Sequence, residues 1–496
     1  MTHKSSKKPL VHFVGIGGIV MSALARWFMA QNWAVSGSDI VESGITRELK
    51  KEGVKVKIGP HKARNLSAGR RASPDMVIYS SAVPKSNPEL RAARRLGIKP
   101  LSYPEAMGRF TARYETVAVA GSHGKSTTTA LVGLMLKKAN FEPNIIVGTK
   151  LRELDNKNFY AGRHPWLVLE ADEWKAAFLN YRPFVSVVTN IDREHLDFYK
   201  NLNDLKKTFL KFLSQTKDRG FLVLNRDDKN LYSLRSPISR IAKRPPASAS
   251  SAGEWRAGKL LSVFWFSVRE KEAREIRSII KIPGEHNVSN ALAALTVATK
   301  IFGVKKSLAL KVVGGYRGAW RRFEYRGEWH IAYSKGQIAK RGRNHKPYAI
   351  RSLPVPVYDD YAHHPTEIKA TLKAFREKFP KSKIVCVYQP HQAKRLQALF
   401  GEFRSAFDDA DITLIMPVYE VAGRDKVNVN PRFTSEALVR AIQKKHPKKL
   451  VFYLPNPKNL KKALTTLLAA GSRKQKATIV MMGAGNIVNY TDSLLR

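Results

Sequence analysis

Short apolar runs recur along the chain, and most end in glycine or a tight cluster of polar residues before a longer run at helical spacing begins. In the first hundred residues the runs Val11 to Val14, Trp33 to Ser36, Val54 to Ile58 and Met76 to Tyr79 read as strands. Between the first two, Met21, Leu24, Ala25 and Phe28 recur at the spacing of one helix face. Asn87-Pro88-Glu89 begins a further helix. The same alternation returns with Val117 to Ala120, Trp166 to Leu169, Phe184 to Val188, Leu261 to Phe266 and Ile279 to Ile282. It appears a third time with Val357 to Tyr361, Lys383 to Tyr388, Ile412 to Met416 and Ala477 to Met482. Strands alternating with helices predict parallel sheets, whose ligands lie at the carboxyl ends of the strands.

The polar clusters sit at those ends. Thr116 to Leu136 reads as strand, glycine turn and helix start, with Gly121-Ser122-His123-Gly124 leading into Lys125-Ser126-Thr127. Backbone N–H groups of such a turn converge on phosphate oxygens, the lysine reaches the outer phosphates, and Ser126 or Thr127 offers a hydroxyl to Mg²⁺. The turn has two residues between its glycines where the standard phosphate loop has four. Glu170 ends a strand where a carboxylate would hold Mg²⁺. Thr189 to Asp197 packs polar residues behind another, and His195 there reads equally as a metal ligand or a hydrogen-bonded loop histidine. His286, Asn287 and Asn290 exceed what one helix cap needs and suggest contacts to a base or sugar. In the first segment Gly15, Gly17 and Gly18 form a dinucleotide-type turn, and Ser38-Asp39 closes the next strand. A tight turn with no ligand is the plain alternative.

With 496 residues and 43% hydrophobic content, the chain has material for about three domains of roughly 150 residues. The expected boundaries are 1–110, 111–326 and 327–496, with Arg321 to Glu324 closing the second. The fold class is α/β: an N-terminal Rossmann-like domain, a central domain like a phosphate-loop ATPase, and a C-terminal Rossmann-like domain. Cys386 is the one cysteine, in an apolar run, so no disulfide framework exists within the chain. No stretch reads as a signal peptide or membrane span, so the expectation is a cytoplasmic protein without membrane insertion. The 87 Lys+Arg against 40 Asp+Glu give a formal charge of +47, which attracts anions and permits nucleic-acid or membrane-surface binding. The basic residues are scattered rather than gathered beside an aromatic module, so no specific nucleic acid is expected. The basic stretches 235–258 and 333–356 read as exposed excursions.

In order, VGIGGIVMS, GSD, AGSHGKSTTT, EADE, NIDREHLD, HNVSNALAA, RRFE, DDYAHHPTEI, QPHQAKR and GAGNI resemble the Mur ligases over nearly the whole chain. The resemblance implies ATP-dependent amide formation in peptidoglycan precursor synthesis, with ATP and Mg²⁺, through an acyl phosphate. GIGG with DDYAHHPTEI and QPH looks most like the members that join L-alanine to UDP-N-acetylmuramate, while EADEWKAAFLNYRP also resembles those that reattach a recycled tripeptide. It implies that Lys125 clamps the β- and γ-phosphates, and that Ser126, Glu170 and His195 hold Mg²⁺. His286, Asn287 and Asn290 would touch adenine, and Arg322 and Asp360 would reach the nucleotide. Tyr361, His363 and Arg395 would place alanine, and Gly15 to Gly18, Ser38, Asp39, His61 and Ser81 would hold the UDP-sugar. Departures are Val20 for glycine, Ser122 and Ser126 for threonines, Glu194 for aspartate and Gln392 for arginine. Lys125 is expected on an exposed loop, so that its loss would leave the fold intact. Monomer and homodimer are both open. From another class, an anion- or nucleic-acid-binding protein on a ligase-like scaffold predicts salt-sensitive polyanion binding without substrate-dependent ATP use.

Overall fold

The β-branched runs of the first hundred residues become a parallel sheet in the computed structural model, which describes residues 8–66, 73–195, 198–243, 260–333, 351–420, 430–469 and 476–496. Its strands are β1 (Leu10–Val14), β2 (Ala34–Asp39), β3 (Lys55–Ile58), β4 (Met76–Tyr79) and β5 (Leu101–Ser102), in the order β3-β2-β1-β4-β5. Val14 pairs with both Ser38 and Tyr79, and Asp39 with Ile58, so the strands finish level along one edge. The helix Ile19–Ala30 buries Leu24 and Phe28 in the core that holds Phe13 and Ile78. Gly37 is fixed by space: a Cβ there would lie 2.6 Å from Ile16 Cδ1.

The second sheet contains β6 (Glu115–Ala120), β7 (Asn144–Leu151), β8 (Lys157–Tyr160), β9 (Trp166–Glu170), β10 (Val185–Val188), β11 (Phe221–Asn225) and β12 (Ser262–Phe266). The order is β12-β11-β10-β6-β9-β7-β8, with only β8 antiparallel to its neighbour. Val119 pairs with Glu170 and Ala120 with Val188, which again aligns the carboxyl ends. The helix Lys125–Lys138 is buried from Thr127 to Leu136, as a helix apolar all round must be.

Both sheets belong to one compact unit, running to Lys281 and resuming at His286–Ala319. Arg26, only 6% exposed, ties them: it pairs with Glu52 at 2.8 Å and donates to Asn158 Oδ1 of β8 at 2.6 Å. Lys150 of β7 adds a second tie by pairing with Glu48.

The second unit comprises Ile282–Glu285 and Trp320–Arg496. Its strands are β13 (Glu324–Tyr333), β14 (Arg351–Asp360), β15 (Lys383–Tyr388), β16 (Ile412–Ile415), β17 (Leu450–Tyr453) and β18 (Ala477–Met482), ordered β13-β14-β18-β15-β16-β17. Only the β13–β14 pair is antiparallel. Asp360, Met482, Tyr388, Ile415 and Tyr453 share one register level, placing the polar ends on one rim.

Several expectations are corrected. Arg321 to Glu324, expected to close the middle domain, fall within the second unit. Ile279 to Ile282 is no strand: Ile279 ends the amphipathic helix Lys271–Ile279, which buries Ala273 and Ile276. Arg235–Ala242, expected as exposed coil, is a helix burying Ile238 and Ala242. Arg351 to Pro356 lie in β14; the remainder of the two basic stretches, 244–258 and 334–350, lies outside the described residues, as do Leu196 and Asp197. Among the described residues no helix is long and apolar enough to cross a membrane.

Candidate active site

The phosphate-type turn follows β6. Gly121 and Gly124 have φ of +134° and +85°, and a Cβ on them would fall 2.0 Å from Thr189 Oγ1 and 2.2 Å from Asn290 Oδ1. Both positions therefore require glycine for conformation and for space. The loop behind β10 holds the turn: Asn190 Oδ1 accepts from the His123 N–H at 2.9 Å, and Thr189 Oγ1 donates to the His123 carbonyl at 2.6 Å. The Asp192 N–H donates to Ser122 Oγ at 2.8 Å, and His123 Nε2 lies 3.0 Å from Asp192 Oδ2.

Lys125 opens the helix Lys125–Lys138, but its side chain is not exposed. Nζ donates to the Gly121 carbonyl at 2.6 Å and pairs with Glu173 at 2.9 Å; the lysine side chain is 16% exposed and the glutamate fully buried. Burial opposes charge on both, yet each holds the other ionised. Lys125 is raised above its ordinary range, and Glu173 is brought down to about 2 by Lys125 and by His195, whose Nε2 lies 3.5 Å from it. Burial pushes His195 down, but Glu173 outweighs that and raises it. His195 has φ +54°, a strained conformation for a side chain of this size.

Asp172, Glu173 and His195 bring their ligand atoms within 4.8 Å of one another, a set of oxygen donors and one imidazole suited to a divalent cation. Of the expected set, Ser126, Glu170 and His195, only His195 belongs to this cluster. Glu170 turns toward β7 and accepts from the Gly148 N–H at 2.5 Å, so the acid beside His195 is Glu173. Ser126, in the helix's first turn, makes no hydrogen bond to a described residue, and Thr127 is 6% exposed. Asn290 packs on Gly124 as noted, and Asn287 is buried at the same helix start, Glu285–Thr296, while His286 is exposed.

At the edge of the first sheet, the Gly15 and Ile16 N–H groups donate to the Ser38 carbonyl at 2.8 and 3.0 Å. Asp39 Oδ2 accepts from the Gly17 N–H at 2.8 Å, so this carboxylate braces the glycine turn. His61 Nδ1 lies 2.9 Å from Glu89 Oε1, and Ser38 Oγ donates to Glu89 Oε2 at 2.7 Å. Ser80 is the hydroxyl against Gly15, its Cβ 3.0 Å from where a Cβ on that glycine would be; Ser81, its expected counterpart, is half-buried next to it, and Gly18 is exposed.

On the rim of the second unit, His363 Nδ1 lies 3.0 Å from the Tyr361 carbonyl and 3.2 Å from Glu367. Arg395 lies 3.2 Å from His391 Nδ1, and His391 stacks on Tyr419 with centroids 5.7 Å apart. Arg322 sits 5.0 Å from the Tyr361 ring and 3.7 Å from Glu367. Asp360, expected to reach the nucleotide, braces the interior of the second unit. It is 5% exposed and accepts from the Phe323 and Ala362 N–H groups at 2.8 Å each, and burial raises its carboxyl above the usual range.

Sequence reasoning missed Glu173, Asn190, Glu89 and Arg321. Arg321, 4% exposed, donates to the Gly485 carbonyl at 3.2 Å and to that of Gly483, and so holds the loop after β18.

Parallel sheets with phosphate-turn, acidic and imidazole groups gathered at their carboxyl edges define a nucleotide-using ligase of three sheets. The chain belongs to the Mur ligase family: residues 10–115 match its catalytic domain, 119–298 its middle domain and 349–485 the glutamate ligase domain. It is 35% identical over 487 residues to UDP-N-acetylmuramate–L-alanine ligase of Sulfurihydrogenibium sp., covering 98% of this chain and 97% of that one. The Persephonella marina protein of the same name is 34% identical, covering 98% and 96%. The crystal structure of UDP-N-acetylmuramate–alanine ligase MurC from Thermotoga maritima superposes with a TM-score of 0.68 at 25% identity, over 98% and 97% of the chains. A murein peptide ligase from Psychrobacter arcticus shares the fold, with a TM-score of 0.64 at 18% identity over 98% of each chain.

Proposed function

We propose that this chain is an ATP-dependent ligase that joins the amino group of L-alanine to the carboxylate of UDP-N-acetylmuramate, a cytoplasmic step of peptidoglycan precursor synthesis. The observation that carries the reading is the near end-to-end match to relatives bearing that name, 35% identical over 98% of this chain. The sheet edges supply the chemistry it needs. In the first step a carboxylate oxygen of the sugar attacks the γ-phosphorus of ATP; the bond to the bridging oxygen breaks, leaving acyl phosphate and ADP. In the second, the alanine amine adds to the acyl carbon, inorganic phosphate leaves, and the nitrogen gives up a proton. Such transfers depend on positioning and charge neutralisation.

Lys125 supplies a fixed cation at the turn. The Gly121 to Gly124 turn, braced by Thr189 and Asn190, brings phosphate oxygens to the start of the helix Lys125–Lys138, whose first backbone N–H groups have no partner within the helix. The donor set of Asp172, Glu173 and His195 fits Mg²⁺, which when bound would neutralise charge on the phosphates. Gly15 to Gly18, Asp39 and His61 form the sugar-nucleotide end, and Tyr361, His363 and Arg395 carry the groups for alanine and the tetrahedral intermediate.

Phosphate release from Mg-ATP and UDP-N-acetylmuramate should be driven best by L-alanine, against glycine, L-serine and L-Ala-D-Glu-diaminopimelate. Release driven only by the tripeptide would replace this reading with the recycling ligase. No release with any acceptor would refute it.

A further inference from the structure

Beside the glycine turn of the first sheet lies a carboxylate that the proposed reaction does not use. Glu89 sits in the first turn of the helix Pro88–Arg95 and is fully buried. Four side chains converge on it: His61 Nδ1 at 2.9 Å and Asn65 Nδ2 at 2.7 Å on Oε1, and Ser38 Oγ at 2.7 Å and His12 Nε2 at 3.1 Å on Oε2. His12, 1% exposed, is itself held at Nδ1 by Ser36 Oγ at 2.9 Å. These partners come from β1, β2, the segment after β3 and the short helix Ala63–Leu66. A buried carboxylate with so many donors stays ionised, since every lone-pair direction is satisfied.

An ionised carboxylate only accepts, so the His61 nitrogen facing it carries the hydrogen. Nδ1 is thereby committed, and Nε2, which has no hydrogen bond to a described residue, is the nitrogen left for a ligand. His61 follows β3 at the carboxyl edge, where the register brings Ile58 beside Asp39, the brace of the glycine turn.

We propose that Glu89, backed by His12, is a positioning residue that locks His61 in the Nδ1–H form with Nε2 presented to the diphosphate or uridine of the sugar nucleotide. This rests on the assignment of the first sheet's edge to UDP-N-acetylmuramate. Glu89 itself touches no substrate; it acts through the ring it orients.

The test has two parts. In the wild-type protein with ¹⁵N-labelled histidine, the His61 resonances, identified by their loss in His61→Gln, should report protonated Nδ1, and UDP should shift Nε2 in particular. A His61 ring with hydrogen on Nε2 and bare Nδ1 overturns the proposal whether or not any variant folds. In Glu89→Ala the carboxylate that accepts from His61 Nδ1 is gone, so the lock is lost. KM for UDP-N-acetylmuramate should then rise ten-fold or more, with kcat and the KM values for ATP and L-alanine within about two-fold. A uniform fall in kcat, or an unchanged KM with unchanged His61 shifts, overturns it. If UDP binds with the same affinity to wild type, His61→Gln and Asp39→Ala, the sugar-nucleotide assignment has failed instead, and the tautomer measurement still stands by itself.

Discussion

Replacing Lys125 by alanine should lower the stability of the first unit, in contrast to what the loss of an exposed loop lysine would do. The lysine faces Glu173, whose carboxylate is fully buried. Its carboxyl falls from an ordinary 4.5 to about 2 although burial alone would raise it. At about 1.36 kcal/mol per pH unit this corresponds to roughly 3 kcal/mol of stability at neutral pH. Breaking a buried pair by removing one partner costs about 3–5 kcal/mol, the same scale. Because the folded value lies below the unfolded one, the contribution is complete above about pH 4.5 and is lost as pH falls toward about 2. Without Lys125, burial dominates and the sign reverses: the variant gains stability as pH falls and Glu173 takes up a proton. Urea unfolding followed by Trp174 fluorescence should place Lys125→Ala about 3 kcal/mol below wild type at about pH 8, with a narrower gap at about pH 5.5. The double variant Lys125→Ala/Glu173→Gln should recover most of that loss while releasing no phosphate. A single variant within about 1 kcal/mol of wild type, or a double variant no more stable than the single, would refute the reasoning.

Three further outcomes follow from the same geometry. Gly124→Ala places a Cβ 2.2 Å from Asn290 Oδ1 at φ +85°, and should lower stability by about 1–3 kcal/mol and raise the KM for ATP, read by thermal unfolding and steady-state kinetics. His195→Gln removes the imidazole from the acidic set and should raise the Mg²⁺ needed for half-maximal phosphate release by about ten-fold or more, measured by metal titration at saturating ATP. Arg326→Leu strips Asp359, 1% exposed, of its cation and frees Asp492 in the helix Ile487–Leu495, so about 3 kcal/mol of stability should go, seen as earlier proteolysis of the last helix.

What the sequence disclosed and what it withheld divide along physical lines. Buried parallel strands are continuous apolar runs, so Val117 to Ala120 and Lys383 to Tyr388 were legible, as were the polar groups that follow them. The β7–β8 hairpin was not: Gly148 and Thr149 interrupt β7, and β8 is four residues of mixed character. Ile279 to Ile282 mimicked a strand because its first residue ends a helix whose apolar face lies further back. Polar residues that follow a strand can be named from the sequence; which neighbour each of them meets cannot. Glu170 and Glu173 are chemically equal in EADE, and only the packing of β9 beside β7 assigns one to a backbone N–H and the other to a lysine. Glu89 reads as an ordinary first-turn acid until the sheet closes His12, Ser38 and His61 around it.

Arg26 sets the grain at which this chain can be recombined. Its guanidinium spends one edge on Glu52 and another on Asn158, a residue 132 positions away in the edge hairpin of the second sheet, while Lys150 of β7 reaches Glu48. A crossover at residue 110 would part Arg26 from Asn158 and Glu48 from Lys150, so a hybrid would have to remake both polar contacts between the sheets with residues from the other parent. Exchange between homologues is therefore penalised at 110, so the first and second sheets travel as one heritable block.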